Sequence, residues 1–428
     1  MGFANQWYVP REGLELHPDG GVTSAQGFSA AGVHAGFNPD PAKLDLALVV
    51  ADEPCAAAAV FTQNVFCAPP VAVSREHLER TGGVARAVVA NSKVANAATG
   101  DEGLRRAEAA AAIVADVLGC PADEVLVAST GVIGVHLPLE RFAGGVPQAA
   151  ARLSADDAAA RDAASAIMTT DTRPKECAVS FDGAAFGFPG ERFTVGAMAK
   201  GSGMIMPNMA TMIAVLTTDA PLAPPDLAAA LKAAVAESFN KVTVDSDTST
   251  NDTCILLASG AAARSAGPAD FAQGTPGHAA FSAALAAVCT ALARAMAADG
   301  EGATRLVTVT VTGAANPEEA DLAARTVANS PLVKTAIYGK DANWGRIAAA
   351  LGRSGARFAK EGVAIRIMGI PVCEGGMALD FDEAEALRRF ERPEVAIDAD
   401  LGAGSASATV WTCDLTHDYV TINGDYRS

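Results

Sequence analysis

The stretch Gly196–Ala220, GAMAKGSGMIMPNMATMIAVLTTDA, decides how the rest of the chain is read. It opens with small residues and one lysine, Lys200, passes a Pro207-Asn208 turn, and runs into an apolar segment headed by a threonine. Thr211 to Leu216 has the length and β-compatible composition of a buried strand. Thr211 therefore stands where a loop of small residues becomes a rigid element, its hydroxyl held on one side and approachable on the other. Two readings are open at this point, a polar strand end and a nucleophile.

Upstream, residues 44–73 carry short apolar runs (LDLALVV, AAAAVFT, PPVAVS) between turn residues, which predicts a set of strands. ARAVVA adds another, ending in the polar loop Asn91-Ser92-Lys93-Val94-Ala95-Asn96. Residues 101–119 begin acidic, continue with apolar periodicity and end in glycine, the pattern of a helix. In EVLVASTGVIG a strand over Glu124–Ala128 runs into Ser129-Thr130-Gly131, and the backbone amides that follow are free to face a ligand. An ordinary strand-to-loop turn reads the same way. One helix is expected from about Ala149 to Met168, then a polar loop, Thr169-Thr170-Asp171-Thr172-Arg173-Pro174-Lys175, where Pro174 disfavours helix. Strands near 176–182 and 193–199 lead into the central stretch.

Downstream, Pro225–Asn240 reads as a helix. In KVTVDSDTSTNDTCILLAS the centre, Asp245–Thr253, is polar between apolar flanks. Such a segment is a solvated hairpin tip or a site, because so many hydroxyls and carboxylates are costly to bury without partners. A helix over Ala279–Ala298 ends at Asp299-Gly300-Glu301-Gly302-Ala303-Thr304, and Arg305–Thr312 alternates as a strand. Pro317–Ala328 and Asn343–Leu351 look helical, while GVAIRIMGI, ASATVWTC and DYVTIN predict strands. Strands and helices mix without strict βαβα alternation and without a Pro/Ser linker. The expectation is an α/β (α+β) fold of stacked mixed sheets flanked by helices.

A chain of 428 residues is too long for one simple core, and its half-hydrophobic composition is globular. The net charge of -17 repels phosphate backbones and argues against a nucleic-acid partner. Eight scattered cysteines without a C-x-x-C pair are expected as buried thiols of a reducing compartment. The six histidines lack metal-ligand spacing, so no metal is assigned. The N-terminus has no signal pattern, and no uncharged apolar run approaches the ~20 residues of a bilayer span. A cytoplasmic protein with no membrane partner is expected.

Several chemistries fail on their motifs. Gly339-Lys340 is followed by Asp341, so there is no Walker loop, and neither a G-x-G-x-x-G after a strand nor a G-x-S-x-G elbow is found. What remains is Thr211 with Lys200, Thr130-Gly131, Glu301 and the polar loops. A mid-chain threonine hydroxyl has no base to take its proton. Were the chain cut before Thr211, its own α-amine, with a pKa of about 7.7–8.0, would be partly neutral beside the hydroxyl. That is the Thr/N-terminal-amine route to an activated nucleophile. The small Ala210 and upstream glycines permit a turn in which Thr211 attacks the Ala210 carbonyl and water resolves the ester.

The strings AMAKGSGMIMPNMATMIA, VDSDTSTNDT, DGEGATR, YGKDANWGRI, ASTGVIG, MTTDTRPK and DYVTINGDYRS together resemble the glutamate N-acetyltransferase (ornithine acetyltransferase) family of arginine biosynthesis. The resemblance runs over nearly the whole chain in the family's motif order. It implies the ornithine-acetyltransferase/DmpA-like fold and self-cleavage at Ala210–Thr211. The products would be an alpha chain, 1–210, and a beta chain, 211–428, intertwined as one unit. It also implies ping-pong transfer of acetyl from N2-acetylornithine to L-glutamate through acetyl-Thr211, with acetyl-CoA as a further possible donor for an amino-acid N-acetyltransferase activity. No cofactor is implied. Two alpha and two beta chains would form a heterotetramer.

Carried over by motif, Thr211 is the nucleophile, and the Thr130 hydroxyl with the Gly131 N–H forms the oxyanion hole. Substrate contacts are implied for Thr172 (Thr170 second), Lys200, Thr211, Glu301, Asn423 and Ser428. Lys200 suits an α-carboxylate, and Glu301 an ammonium or a proton. On their own, Lys200 would pass for a solvated loop cation and Glu301 for a surface acid at a helix end. The family pattern Asn-Ser-Gly-Asn-Ala-Asn is here Asn91-Ser92-Lys93-Val94-Ala95-Asn96, and Ser428 replaces a terminal threonine. An N-terminal-nucleophile amidohydrolase or aminopeptidase, a secondary-metabolism acyltransferase, and a non-catalytic binder of acetylated amino acids are the competing readings.

Overall fold

The computed structural model describes residues 2–206 and 212–425. Nine strands form the larger sheet: β1 (Leu14–His17), β2 (Phe28–Val33), β3 (Leu46–Phe61), β4 (Val84–Asn91), β5 (Val125–Ser129), β6 (Lys175–Asp182), β7 (Arg192–Lys200), β8 (Ile213–Thr218) and β9 (Thr253–Ala258). Their order is β1-β6-β7-β8-β9-β3-β4-β5, with β2 beside β3. Pairs β8/β9 and β4/β5 are parallel and the other pairs antiparallel, so the sheet is mixed. β8 is buried along its whole length because both faces are covered. Ala214 and Leu216 pack in a core with helices α5 (Pro224–Ala236) and α6 (Pro276–Ala298), while Ile213 and Val215 join the opposite core. That two-sided burial explains the continuous apolar run that predicts the strand.

Three helices, α1 (Pro69–Thr81), α2 (Gly100–Leu118) and α3 (Leu139–Ala150), pack around β2 to β5, and α4 (Asp157–Ala166) lies on β2. A second mixed sheet, ordered β13-β12-β11-β14-β10-β15, uses β10 (Leu306–Ala314), β11 (Ala364–Ile367), β12 (Ile370–Glu374), β13 (Met377–Ala378), β14 (Glu394–Asp400) and β15 (Ala406–Cys413). Its core is closed by α7 (Pro317–Ala328), α8 (Pro331–Tyr338), α9 (Trp344–Gly352) and α10 (Glu383–Arg389). α6 touches β6 and β7 of one sheet and β10 and β15 of the other. By length and hydropathy α6 is the one described helix that could cross a membrane, and it is instead the shared core helix of the two sheets. All eight cysteines are free, and six are buried.

Two mixed sheets flanked by helices are what the sequence predicts, but four local expectations are overturned. PPVAVS is the start of α1: the proline pair occupies the first turn, where a missing N–H costs nothing, and Val71, Val73, Ser74 and His77 face inward. The two remaining runs of 44–73 lie on the single long strand β3, whose pairing register with β4 shifts between Val50 and Cys55. The expected helix 149–168 is two helices, interrupted where Ser154 pairs with Ala30 and Asp156 caps α4 through Ala159 N–H at 2.7 Å. DYVTIN, rich in β-branched residues, is helical in α11 (His417–Asp425). Val420 is 71 % exposed, so no alternating face is buried there and strand propensity has nothing to pack against.

Candidate active site

Parallel β4 and β5 end side by side, and the loops that leave them are tied together. Thr130 N–H donates to the Asn91 carbonyl at 3.0 Å, Val132 N–H to Lys93 at 3.1 Å, and Ala95 N–H to Val132 at 3.0 Å. Gly131 has φ +131°, and a Cβ there would lie 2.1 Å from the Lys93 carbonyl carbon. Only glycine allows this approach. No described residue accepts a hydrogen bond from the Gly131 N–H, and Gly131 lines a cavity of about 220 Å³. Lys93 itself has φ +73°, so this chain places a side chain where a left-handed backbone favours glycine.

Asn251, ahead of β9, reaches the same loops and donates to the carbonyls of Ala95 (2.7 Å) and Ser129 (2.9 Å). The polar segment that precedes β9 is thus a wall of the site, not a solvated hairpin tip. Asp245, Asp247, Ser249, Thr250 and Asn251 all line the cavity. Asp252 accepts from Met212 N–H at 2.9 Å, and Met212 accepts in turn from Thr253 N–H at 2.9 Å. The residue after Thr211 is thereby tied to Asp252, which follows the cavity-lining Asn251. Ala210, Thr211 and Ser428 themselves lie outside the described residues.

Lys200 ends β7 and lines the cavity, 3 % exposed. Its ammonium forms no hydrogen bond with a described residue; the nearest carboxylate oxygen is that of Asp171, at 3.8 Å. Behind it runs a buried chain of alternating charge. Asp171 accepts from Lys175 Nζ and from Gly201 N–H, each at 2.7 Å, and Lys175 Nζ reaches Asp299 at 2.6 Å. Burial alone would push the Asp171 carboxyl up, but Lys175 and Lys200 outweigh it and hold it well below the usual carboxylate range. Burial pulls the Lys200 ammonium down, opposed by Asp171.

Thr172 is taken up by this chain and is not part of the cavity wall: its N–H donates to Asp299 at 3.1 Å and its hydroxyl to the other oxygen. Thr169 and Thr170 line the cavity instead. Glu301 follows α6, 7 % exposed, with its carboxylate against Gly203 and accepting from Asn423 Nδ2 at 2.7 Å. Asn423 and Tyr419 stand four residues apart on α11, hence on one face, and both line the cavity. The cavity therefore brings together Thr130, Gly131, Lys200, Glu301 and Asn423. Sequence reasoning missed Tyr419, the ion chain and the separate role of Asp245, although the polar density of 245–253 pointed to the last.

A profile of the ArgJ family matches residues 29–428. The chain belongs to the ArgJ family. It is 48% identical over 403 residues to the arginine biosynthesis bifunctional protein ArgJ of Chlorobaculum tepidum, covering 94% of this chain and 96% of that one. It is 49% identical over 410 residues to the protein of the same name from Symbiobacterium thermophilum, covering 96% and 99%. A crystal structure of ArgJ from Bacillus halodurans is 44% identical, with a TM-score of 0.46, over 49% of this chain and 97% of the solved chain. The family that the motifs resemble is thus the family to which the chain belongs, over residues 29–428.

Proposed function

We propose that Thr211 carries the acetyl group and that scission of the Ala210–Thr211 bond makes it a nucleophile. The reaction class follows from the family: acetyl transfer in arginine biosynthesis, from N2-acetylornithine to glutamate, leaving ornithine and N-acetylglutamate. The α-amine of Thr211 takes the hydroxyl proton, and the oxygen attacks the acetyl carbonyl. The tetrahedral oxyanion faces the Gly131 N–H and the Thr130 hydroxyl. Collapse breaks the amide bond, and the ornithine α-nitrogen leaves with the proton. The glutamate α-amine then attacks acetyl-Thr211 and the sequence reverses, restoring the free hydroxyl. Lys200 holds the α-carboxylate, Thr170 takes the contact first expected of Thr172, and Glu301 with Asn423 meets the side chain. Ser428 is assigned a substrate contact on the family resemblance alone.

The observation that supports this reading is the convergence on one cavity of Lys200, Thr130 and Gly131. Mass spectrometry of the purified protein after incubation with N2-acetylornithine tests it. Two fragments are expected, the second beginning at Thr211 and heavier by one acetyl group. Thr211→Ala is expected to stay a single chain without turnover. A single full-length species from active enzyme, or turnover by Thr211→Ala, would refute the mechanism. Acetyl-CoA as a second donor, a cytoplasmic location and a heterotetramer of two alpha and two beta chains complete the proposal. The first is read by glutamate acetylation without N2-acetylornithine, the last by native mass.

A further inference from the structure

The reading above sets the cavity a charge problem. N2-acetylornithine and glutamate share an amino-acid head, but the side chain beyond it is an ammonium in one and a carboxylate in the other. The wall that is left for that side chain carries Asp245, Asp247 and Glu301, with the neutral Tyr419 and Asn423. Three carboxylates suit an ammonium. A fourth carboxylate brought among them repels them all, and a crowd of like charges in a small space resolves itself by binding a proton.

Asp245 is the member placed to take it. Its two oxygens accept from Met204 N–H at 2.6 Å and Ile205 N–H at 2.8 Å, and Tyr419 Oη donates to it at 3.4 Å. Among the described residues no ion pair holds it. Glu301 accepts from Asn423 Nδ2 at 2.7 Å and packs against Gly203. The charged and titratable groups around Asp245 are Glu301, Asp247 and Tyr419 toward the cavity and Cys413 behind. The Lys334 ammonium lies close by, spent on the Val244 carbonyl. Burial raises the Asp245 pKa and Glu301 adds to the rise, while the backbone donors oppose it.

We propose that Asp245 adapts the cavity to side chains of opposite charge: ionised against an ammonium, and carrying one proton from water when a side-chain carboxylate takes the same space. In that second state its carboxyl donates a hydrogen bond to the substrate carboxylate, and Tyr419 positions it in both. Asp245 thereby governs which amino acids exchange the acetyl group, not the rate at which Thr211 is acylated. The inference rests on the donor and acceptor assigned above.

Calorimetry on the wild-type protein tests it without turnover, by titrating glutamate and ornithine separately with no acetyl donor present. The enthalpies are compared at pH 7 in phosphate and in Tris, whose ionisation enthalpies differ, so the slope counts protons. Glutamate is expected to bind with up to about one proton more than ornithine, the shared head cancelling from the difference. In Asp245→Asn the difference is expected to vanish, with glutamate affinity within about threefold of wild type and ornithine affinity lower by about tenfold. Equal proton counts for the two ligands in the wild-type protein would overturn the proposal without any variant. Survival of the difference in Asp245→Asn would overturn it too. Absence of binding by both ligands would instead overturn the substrate assignment, and this proposal with it.

Discussion

Gly131→Ala isolates the oxyanion site from substrate binding. The added Cβ would meet the Lys93 carbonyl carbon at 2.1 Å and its Cα and oxygen at 2.5 Å. Carbon atoms settle at about 3.5 Å, so the two loops must part by roughly 1.4 Å. The Lys93 loop is held by the bonds of Val132 and Ala95, and the Thr130 N–H by Asn91, so the strain falls on Gly131. An L-residue at φ +131° adds a cost of about 1–3 kcal/mol. A donor displaced that far is lost to the oxyanion, and removing one such donor slows reaction by about 10²–10³-fold. The assay is single-turnover acetylation of the Thr211 fragment by N2-acetylornithine, quenched and read by mass on the cleaved protein. Ornithine affinity, which does not involve the oxyanion, is expected to change by less than about threefold. Acetylation within about threefold of wild type would refute the assignment of the Gly131 N–H.

Two other substitutions read separate features. In Gly203→Ala the new Cβ would fall 2.3 Å from the Glu301 carboxyl carbon, driving that carboxylate off Asn423. KM for the amino-acid substrates is expected to rise by about tenfold with kcat nearly kept, and an unchanged KM in steady-state kinetics would contradict the placement of Glu301. Glu176 is buried with Oε1 unbonded and Arg161 only at 3.8 Å, and burial pushes its carboxyl up to about 8. Because the folded state keeps a proton that the unfolded state releases, stability contributed below the ordinary carboxylate pKa is lost as pH rises through 8. Glu176→Gln is expected to be more stable than wild type by roughly 2–4 kcal/mol at pH 8 and to lose that slope, so parallel melting curves from pH 5 to 8 would exclude it.

The parts of the fold that were legible are those whose burial shows in local order. β7, β8 and α6 are continuous apolar or alanine-rich runs because they are covered on several sides. α11 was not legible, since Val420, Thr421 and Ile422 favour strand locally while only the cavity-facing Tyr419 and Asn423 need the helical spacing. For α1 the proline pair reads as a break, and its helix-starting role depends on the Asp252–Thr250 backbone that receives the Thr62 and Ala68 N–H groups. The motif loops marked the site, but not how charge is shared within it. Lys175, Asp171 and Asp299 are 124 residues apart at the widest step, and nothing in either segment alone says that they pair. The same applies to Thr172: its hydroxyl type fits a substrate contact, and only the position of Asp299 shows where it is spent.

The order of the large sheet bears on what scission at Ala210–Thr211 would do. β8 and β9 follow that bond, yet they sit between β7 and β3, which precede it. Cutting there would not open a seam; it would weave one polypeptide through another. Neither piece could leave without pulling two strands out of the middle of a hydrogen-bonded ladder, so parting the pieces amounts to unfolding them. A cut protein of this kind would keep its division hidden in its native shape and show it as two pieces only in denaturant. Each pair of fragments, once made, stays with the partner it was born with.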